Sequence, residues 1–367
     1  MHFLGKLAII KSSSWFLLGA TLVCAVYLIY CLIKKPTRGI MVFCFTVASI
    51  VFAEIFLFNN VFLFHSAIHF VSAADIGWRQ ESTLYHDRQR LINTEKAQFL
   101  AIGSSQTHVI YTPYASTCDE LAVMGMAGMG PLDFLLYKDL IAEEASEVII
   151  LTLCDFDLGR QPSLVAAKLS PPQRIDDLIT LAKIVSPIAS YPACEIQDFL
   201  FANGISAYRN QYLYKGVLNK LTGRAKAFPE EDVTLISDED RQIQQLEKLR
   251  ELDQIWFELN VALLDRFIEW AEREALKVCV VSGQYHPLAM QKNESLHKQA
   301  DVALANLCAS HPNASFIGAE QRLSFTAEDY VDGYHVGPEA GYRFTSHLIS
   351  VVSSNWKIES SKGKSDL

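Results

Sequence analysis

Short apolar runs that stop on a glycine or serine recur through the middle of the chain, each followed by a polar segment of helical spacing. The first is Phe99-Leu-Ala-Ile-Gly-Ser-Ser-Gln-Thr-His108, where a strand-like run ends at Gly103 and delivers Ser104 and Ser105. The second, Glu120-Leu-Ala-Val-Met-Gly125, leads through Met-Ala-Gly128-Met-Gly-Pro131 into a helical pattern over 132–144. The third, Glu147-Val-Ile-Ile-Leu-Thr-Leu153, is continuously apolar and ends in Cys154-Asp-Phe-Asp157. Further on, 237–275 predicts one long helix with Ser237 or Asp238 as its N-cap. A strand at 277–282 ends in Gly283-Gln-Tyr-His286-Pro287. A helix over 294–309, a short strand at 315–317 and a last helix over 338–352 complete the pattern. Buried strands alternating with helices predict an α/β fold with a parallel, helix-covered sheet. The polar residues after each strand then fall at the carboxyl edge, where such sheets open into a ligand crevice. The two serines read equally as caps of the helix that follows.

The flanking regions follow other patterns. Residues 12–33 carry no charge, and 40–64 are apolar apart from Glu54; the two predict a transmembrane helical hairpin over residues 1–64. A secretory leader with Lys6 and Lys11 is the alternative, although the apolar run is long for one. Lys34, Lys35 and Arg38 would hold the connecting loop in the cytoplasm, which makes the large domain extracytoplasmic; Lys6 and Lys11 pull the other way. Glu54, costly in lipid, should face the other helix, a protein partner or the interface. Residues 65–95 read as a juxtamembrane connector, and 96–356 as the main domain. Residues 160–236 form a helical insertion or lid within that domain, and 357–367 are a disordered tail.

With 367 residues, half of them hydrophobic, the chain can bury a large core. The net charge of −9 divides into +4 over residues 1–64 and −13 over the rest, which argues against nucleic acid as a partner of the acidic domain. The cysteines beyond the apolar N-terminus, Cys118, Cys154, Cys194, Cys279 and Cys308, include no C-x-x-C pair, so neither zinc nor a disulfide framework is signalled. No metal-ligand spacing and no phosphate-binding loop occurs, and no cofactor is expected.

Asp332-Gly-Tyr-His335 places an acid and a base three residues apart just before the last helix. Alone it reads as an ordinary loop. Taken in order with Gly103-Ser-Ser105 and with Gly125 and Gly128, it resembles the SGNH, or GDSL-like, hydrolase family over roughly residues 96–352. The resemblance implies a three-layer, flavodoxin-like sheet and a catalytic triad of Ser105, His335 and Asp332. A serine hydroxyl needs such a base to become a nucleophile, and the base needs an acid to fix its tautomer. It also implies oxyanion donors from the backbone N–H groups of Ser105 and Gly128, with Gly125 as the rival to Gly128. A third donor, an asparagine after the third strand, is absent, because Cys154-Asp-Phe-Asp157 stands there; Asp155 and Asp157 are expected to line the site instead. His286 is expected to contact substrate, whereas His108 belongs to the helix after Ser105.

The function these features imply is a membrane-anchored serine acyltransferase acting on cell-envelope glycan through an acyl-Ser105 intermediate, with an integral-membrane acyltransferase as partner. The alternatives are an SGNH esterase or lipase that hydrolyses acyl esters, and a catalytically degenerate scaffold of a membrane complex.

Overall fold

The computed structural model describes residues 30, 38–54, 63, 66–67, 70–71, 97–126, 128–167, 173–224, 253–331 and 335–357. The apolar runs form five strands: β1 (Ala97–Gly103), β2 (Leu121–Gly125), β3 (Ala145–Leu153), β4 (Lys277–Ser282) and β5 (Ala314–Ile317). All pair in parallel, in the order β2-β1-β3-β4-β5. This is the flavodoxin-like doubly wound order, in which the chain reverses its direction of travel across the sheet between β1 and β3 and opens a crevice at their carboxyl ends. Phe99, Leu100, Ala101 and Ile102 of β1 and Val148, Ile149, Ile150 and Leu151 of β3 are all fully buried. Strands covered on both faces have no polar alternation to show, which is why they appear in the sequence as unbroken apolar runs.

The strands are linked by α2 (Ser105–Ala115), α3 (Pro131–Leu136), α4 (Lys138–Glu144), α5 (Asp155–Gly159), α11 (Gln254–Arg273), α12 (Pro287–Lys292) and α13 (Glu294–Ala309). The last helix of this body is α14 (Pro338–Trp356). On one face α2 and α14 pack over Phe99, Ala101, Val148 and Ile150 through Ile110, Tyr111, Phe344 and Leu348. On the other α11 packs against α3, with the rings of Phe134 and Phe267 5.6 Å apart. Each large apolar side chain so buried contributes about 1.5–3 kcal/mol. The expected helix over 132–144 is divided at Tyr137 into α3 and α4. Of the expected helix over 237–275, α11 begins at Gln254, capped by the Asp253 carboxylate on the Ile255 N–H at 3.0 Å; residues 237–252 lie outside the described residues.

The chain divides into two units. One, Asp87–Pro162, Ile184–Ala189 and Asp232–Leu367, holds the sheet. The other comprises Met1–His86, Ser163–Lys183 and Ser190–Glu231, and its described part is helical. It includes α1 (Arg38–Ala53), α6 (Leu164–Ala167), α8 (Ala193–Gly204), α9 (Ser206–Arg209) and α10 (Gln211–Leu221); α7 (Ile175–Val185) lies mostly within it. Of the 160–236 segment, the described residues 160–167 and 173–224 are mostly helical. Within this unit Glu54 is buried and accepts the backbone N–H groups of Ser206 and Ala207, and Arg209, also buried, donates to the carbonyls of Ala202 and Asn203.

The expected multi-pass membrane placement, with an extracytoplasmic domain, is corrected here. Among the described residues no helix is long and apolar enough to cross a membrane. The helix within the second expected span, α1, has 16 residues. At 1.5 Å per residue that is about 24 Å, short of the roughly 30 Å of a hydrocarbon core. Residues 12–33, apart from Tyr30, and the 357–367 tail beyond Lys357 lie outside the described residues.

Candidate active site

The serine turn is built by close packing. A side chain at Gly103 would put its Cβ 2.2 Å from Thr107 Oγ1, so only glycine lets the chain fold back from β1 into α2 here. Ser104 is the extended N-cap residue, and Ser105 is the first residue of α2. The first turn of α2 carries no acidic residue, so the helix's positive end meets the crevice uncancelled. His108 lies one turn further on, its Nδ1 3.1 Å from Thr112 Oγ1, and a Cβ at Gly125 would meet its Cβ at 2.8 Å.

His335 arrives from the far end of the chain. Tyr330 and Val336 form an antiparallel bridge, and Val331 N–H donates to the His335 carbonyl at 2.8 Å, so the residue leaves a tight hairpin. Asp329 ties that hairpin down, accepting from Thr326 N at 2.8 Å, Thr326 Oγ1 at 3.0 Å and Arg343 at 2.7 Å. These contacts, the Thr326 backbone N–H first, hold its carboxyl below the usual carboxylate range. The α14 helix then locks onto α2: Thr345 Oγ1 donates to the Ile110 carbonyl at 3.0 Å, and a Cβ on Gly341 would come within 2.8 Å of the same oxygen. The outcome is that His335 Nε2 lies 3.0 Å from Ser105 Oγ across 230 positions of sequence. Asp332 lies outside the described residues.

Gly125 makes the last pair of the β1–β2 ladder, opposite Gly103, whereas Gly128 stands out in the following turn with φ +74°, a left-handed conformation suited to glycine. Arg160 Nη2 donates to the carbonyls of Gly128 at 2.6 Å and Met129 at 2.9 Å. Gly130 N–H is capped by Asp133 Oδ2 at 2.9 Å. Burial lifts the Asp133 carboxyl to about 6, against the Gly130 N–H bond and the nearby Arg160 charge, which pull it down.

After β3, Asp157 Oδ2 accepts from Cys154 N at 3.2 Å and Cys154 Sγ at 3.1 Å, and its other oxygen is 3.8 Å from Arg160. Burial raises its pKa despite Arg160, and burial raises the Cys154 thiol as well. Asp155 is buried beneath Tyr285, whose hydroxyl donates to it while accepting the Phe156 N–H at 3.1 Å. His297 Nδ1 is 3.3 Å from the same carboxylate, and Ser282 Oγ donates to Asp301 at 3.0 Å beside His297 Nε2 at 3.4 Å. Both acids expected to line the site are therefore occupied as internal anchors of the turn. His286 caps α12, its Nδ1 accepting Leu288 N–H at 3.4 Å, and its ring stands edge-on to Tyr330 at 5.5 Å; at 5% exposure it is part of the frame under the His335 hairpin.

Sequence reasoning missed Arg160, Asp133, Tyr285 and His297. For the first two a local signal existed, since each stands three residues beyond a turn residue it serves: Gly130 to Asp133, and Asp157 to Arg160. Tyr285 and His297 reach Asp155 over 130 and 142 positions and had no such signal. Among the described residues no group of three or more His, Cys, Asp or Glu side chains is placed to hold a metal ion.

No family model and no curated protein matches the chain. Solved structures do. A protein of Streptococcus pneumonia, described provisionally as a platelet activating factor, is 13% identical over 74% of this chain and 91% of its own, with a TM-score of 0.38. A provisionally assigned acylhydrolase of Bacteroides fragilis NCTC 9343 is 9% identical over 75% of this chain and 96% of its own, at 0.35. A GDSL-like lipase of Bacteroides thetaiotaomicron VPI-5482 is 11% identical over 74% and 98%, also at 0.35. Likenesses of this strength carry no weight for the site, whose chemistry rests on its own residues.

Proposed function

We propose that this chain is a serine-dependent acyl-ester enzyme of SGNH type, with Ser105 as nucleophile and His335 as general base. The observation that carries the reading is the 3.0 Å contact between Ser105 Oγ and His335 Nε2, at the carboxyl edge of β1 and the start of α2. In the neutral tautomer with its proton on Nδ1, His335 accepts the Ser105 proton as Oγ attacks the ester carbonyl. It then returns that proton to the departing alcohol oxygen, leaving the acyl group on Ser105. Asp332, three residues before the base, is the proposed partner of Nδ1. The oxyanion is received by the N–H groups of Ser105 and Gly128. Gly125 is the weaker choice, because its place in the β1–β2 ladder is further from the turn. The acyl-enzyme is released to water or to another hydroxyl, and transfer to a sugar hydroxyl is the more specific form of the proposal.

A fluorophosphonate probe should label Ser105, and His335→Ala should lower ester turnover by about 10³-fold or more with the fold intact by circular dichroism. Label on Ser104 with Ser105 untouched, or unchanged turnover in the variant, would overturn the assignment. With a glycan acceptor present, acylated sugar in excess over free acid marks transfer, and free acid alone marks hydrolysis.

A further inference from the structure

We infer that Arg160 is the positioning residue of the oxyanion pocket: it fixes the Gly128 turn and supplies the positive charge that the Cys154–Asp157 turn lacks. The inference rests on the acyl-ester reading above. Two consecutive peptide planes follow Gly128, and both are held at both ends. In the Gly128–Met129 peptide the carbonyl accepts Arg160 Nη2 at 2.6 Å and the Met129 N–H donates to Met126 O at 2.9 Å. In the Met129–Gly130 peptide the carbonyl accepts the same Nη2 at 2.9 Å and the Gly130 N–H donates to Asp133 at 2.9 Å. With the next two planes held and Gly128 at φ +74°, the turn that offers the Gly128 N–H is restrained from its C-terminal side. A donor aimed before the reaction begins needs no reorganisation as charge develops.

The charge balance leads to the same residue. Two carbonyl oxygens and the buried carboxylates of Asp133 and Asp157 surround this turn, and all of them oppose an oxyanion formed nearby. Among the described residues Arg160 is a cation that faces them: its guanidinium is 3.8 Å from Asp157 and lies over the Phe156 ring, 5.7 Å from the centroid. Its side chain is 26% exposed, so it is screened only in part. Asn260, buried, donates to the carbonyls of Leu158 at 2.7 Å and Arg160 at 2.8 Å and so anchors the backbone from which the guanidinium reaches. Arg160 therefore acts through the Gly128 peptide and the local potential, without covalent chemistry of its own.

The test uses the full chain and a p-nitrophenyl ester. Arg160→Ala should lower kcat about 10- to 100-fold with KM changed less than about threefold, and should slow phosphonylation of Ser105 by a similar factor. Millimolar guanidinium should restore part of kcat in this variant and none in His335→Ala, a rescue that a merely structural role does not produce. Should Arg160→Ala fail to fold, Arg160→Gln, which keeps an amide donor without the charge, carries the same measurements. Unchanged kcat and labelling, or a loss that follows the folded fraction and resists guanidinium, would overturn the inference. Failure of the unsubstituted protein to label at Ser105 would instead remove the acyl-ester reading, and the inference with it, before any substitution at Arg160 is made.

Discussion

The turns after β2 and β3 flank the serine turn on either side, and the same device shapes both. In each, a carboxylate three residues on caps a backbone N–H: Asp133 at Gly130 and Asp157 at Cys154. They differ in what is left for a substrate. The β2 turn has glycines and a left-handed residue, so backbone can face the crevice. In the β3 turn the Phe156 N–H is taken by Tyr285, and Asp155 and Asp157 are spent on internal bonds. Arg160 joins the two, donating to the first and pairing with the second. The lesson is that a capping carboxylate makes a turn rigid, and the residues between cap and strand decide whether the rigid turn offers donors or withholds them.

The sharpest way to break this contrast is Gly128→Ala. The nearest atom to the new Cβ is Arg160 Nη1 at 3.8 Å, so there is space, and the cost comes from φ +74°, about 1–2 kcal/mol for a residue with a side chain. If the turn relaxes to escape that cost, the N–H is misdirected, and kcat should fall about 10²-fold with little change in KM. A next-smaller effect reads the Asp133 cap through pH. Burial raises Asp133 in the fold above its unfolded value, so its contribution to stability is complete below pH ~4 and is lost as pH rises through about 6. Asp133→Asn should abolish that decline, about 2–3 kcal/mol in urea unfolding free energy between pH 4 and pH 7. A variant that keeps the wild-type slope would show the carboxyl is not its source. Smallest is Tyr285→Phe, which removes the partner of Phe156 N–H and Asp155. It should lower stability by about 1–3 kcal/mol while kcat stays within about threefold, because the Phe156 N–H and the two carboxylates of the β3 turn are bonded internally. A large fall in kcat would mean that this turn takes part in the reaction after all.

The strands were legible because both their faces are buried: β4 spans the expected 277–282, and α13 the expected 294–309. The break at Tyr137 was not legible, since both halves keep helical spacing. The multi-pass placement followed from the length of the apolar composition, which is not the length of a helix: α1 runs only to Ala53, just before Glu54 turns to the backbone of α9, and most of the first expected span lies outside the described residues. The roles expected of Asp155, Asp157 and His286 came from their position after strands, and position after a strand does not say which way a side chain turns.

What the sequence by itself determined was local. Apolar runs ending on glycine prescribed the strands and turns, and the order of Gly103-Ser-Ser105, the glycine turn and His335 pointed to the serine and the histidine that the fold brings together. Tertiary structure decided the rest, because a 3.0 Å contact between residues 230 positions apart depends on how α14 seats on α2. It also decided which carboxylates face inward and that Arg160 reaches back 32 positions to Gly128. Those outcomes are set by packing and by the need to satisfy buried charge, which act between elements and leave no spacing in the chain.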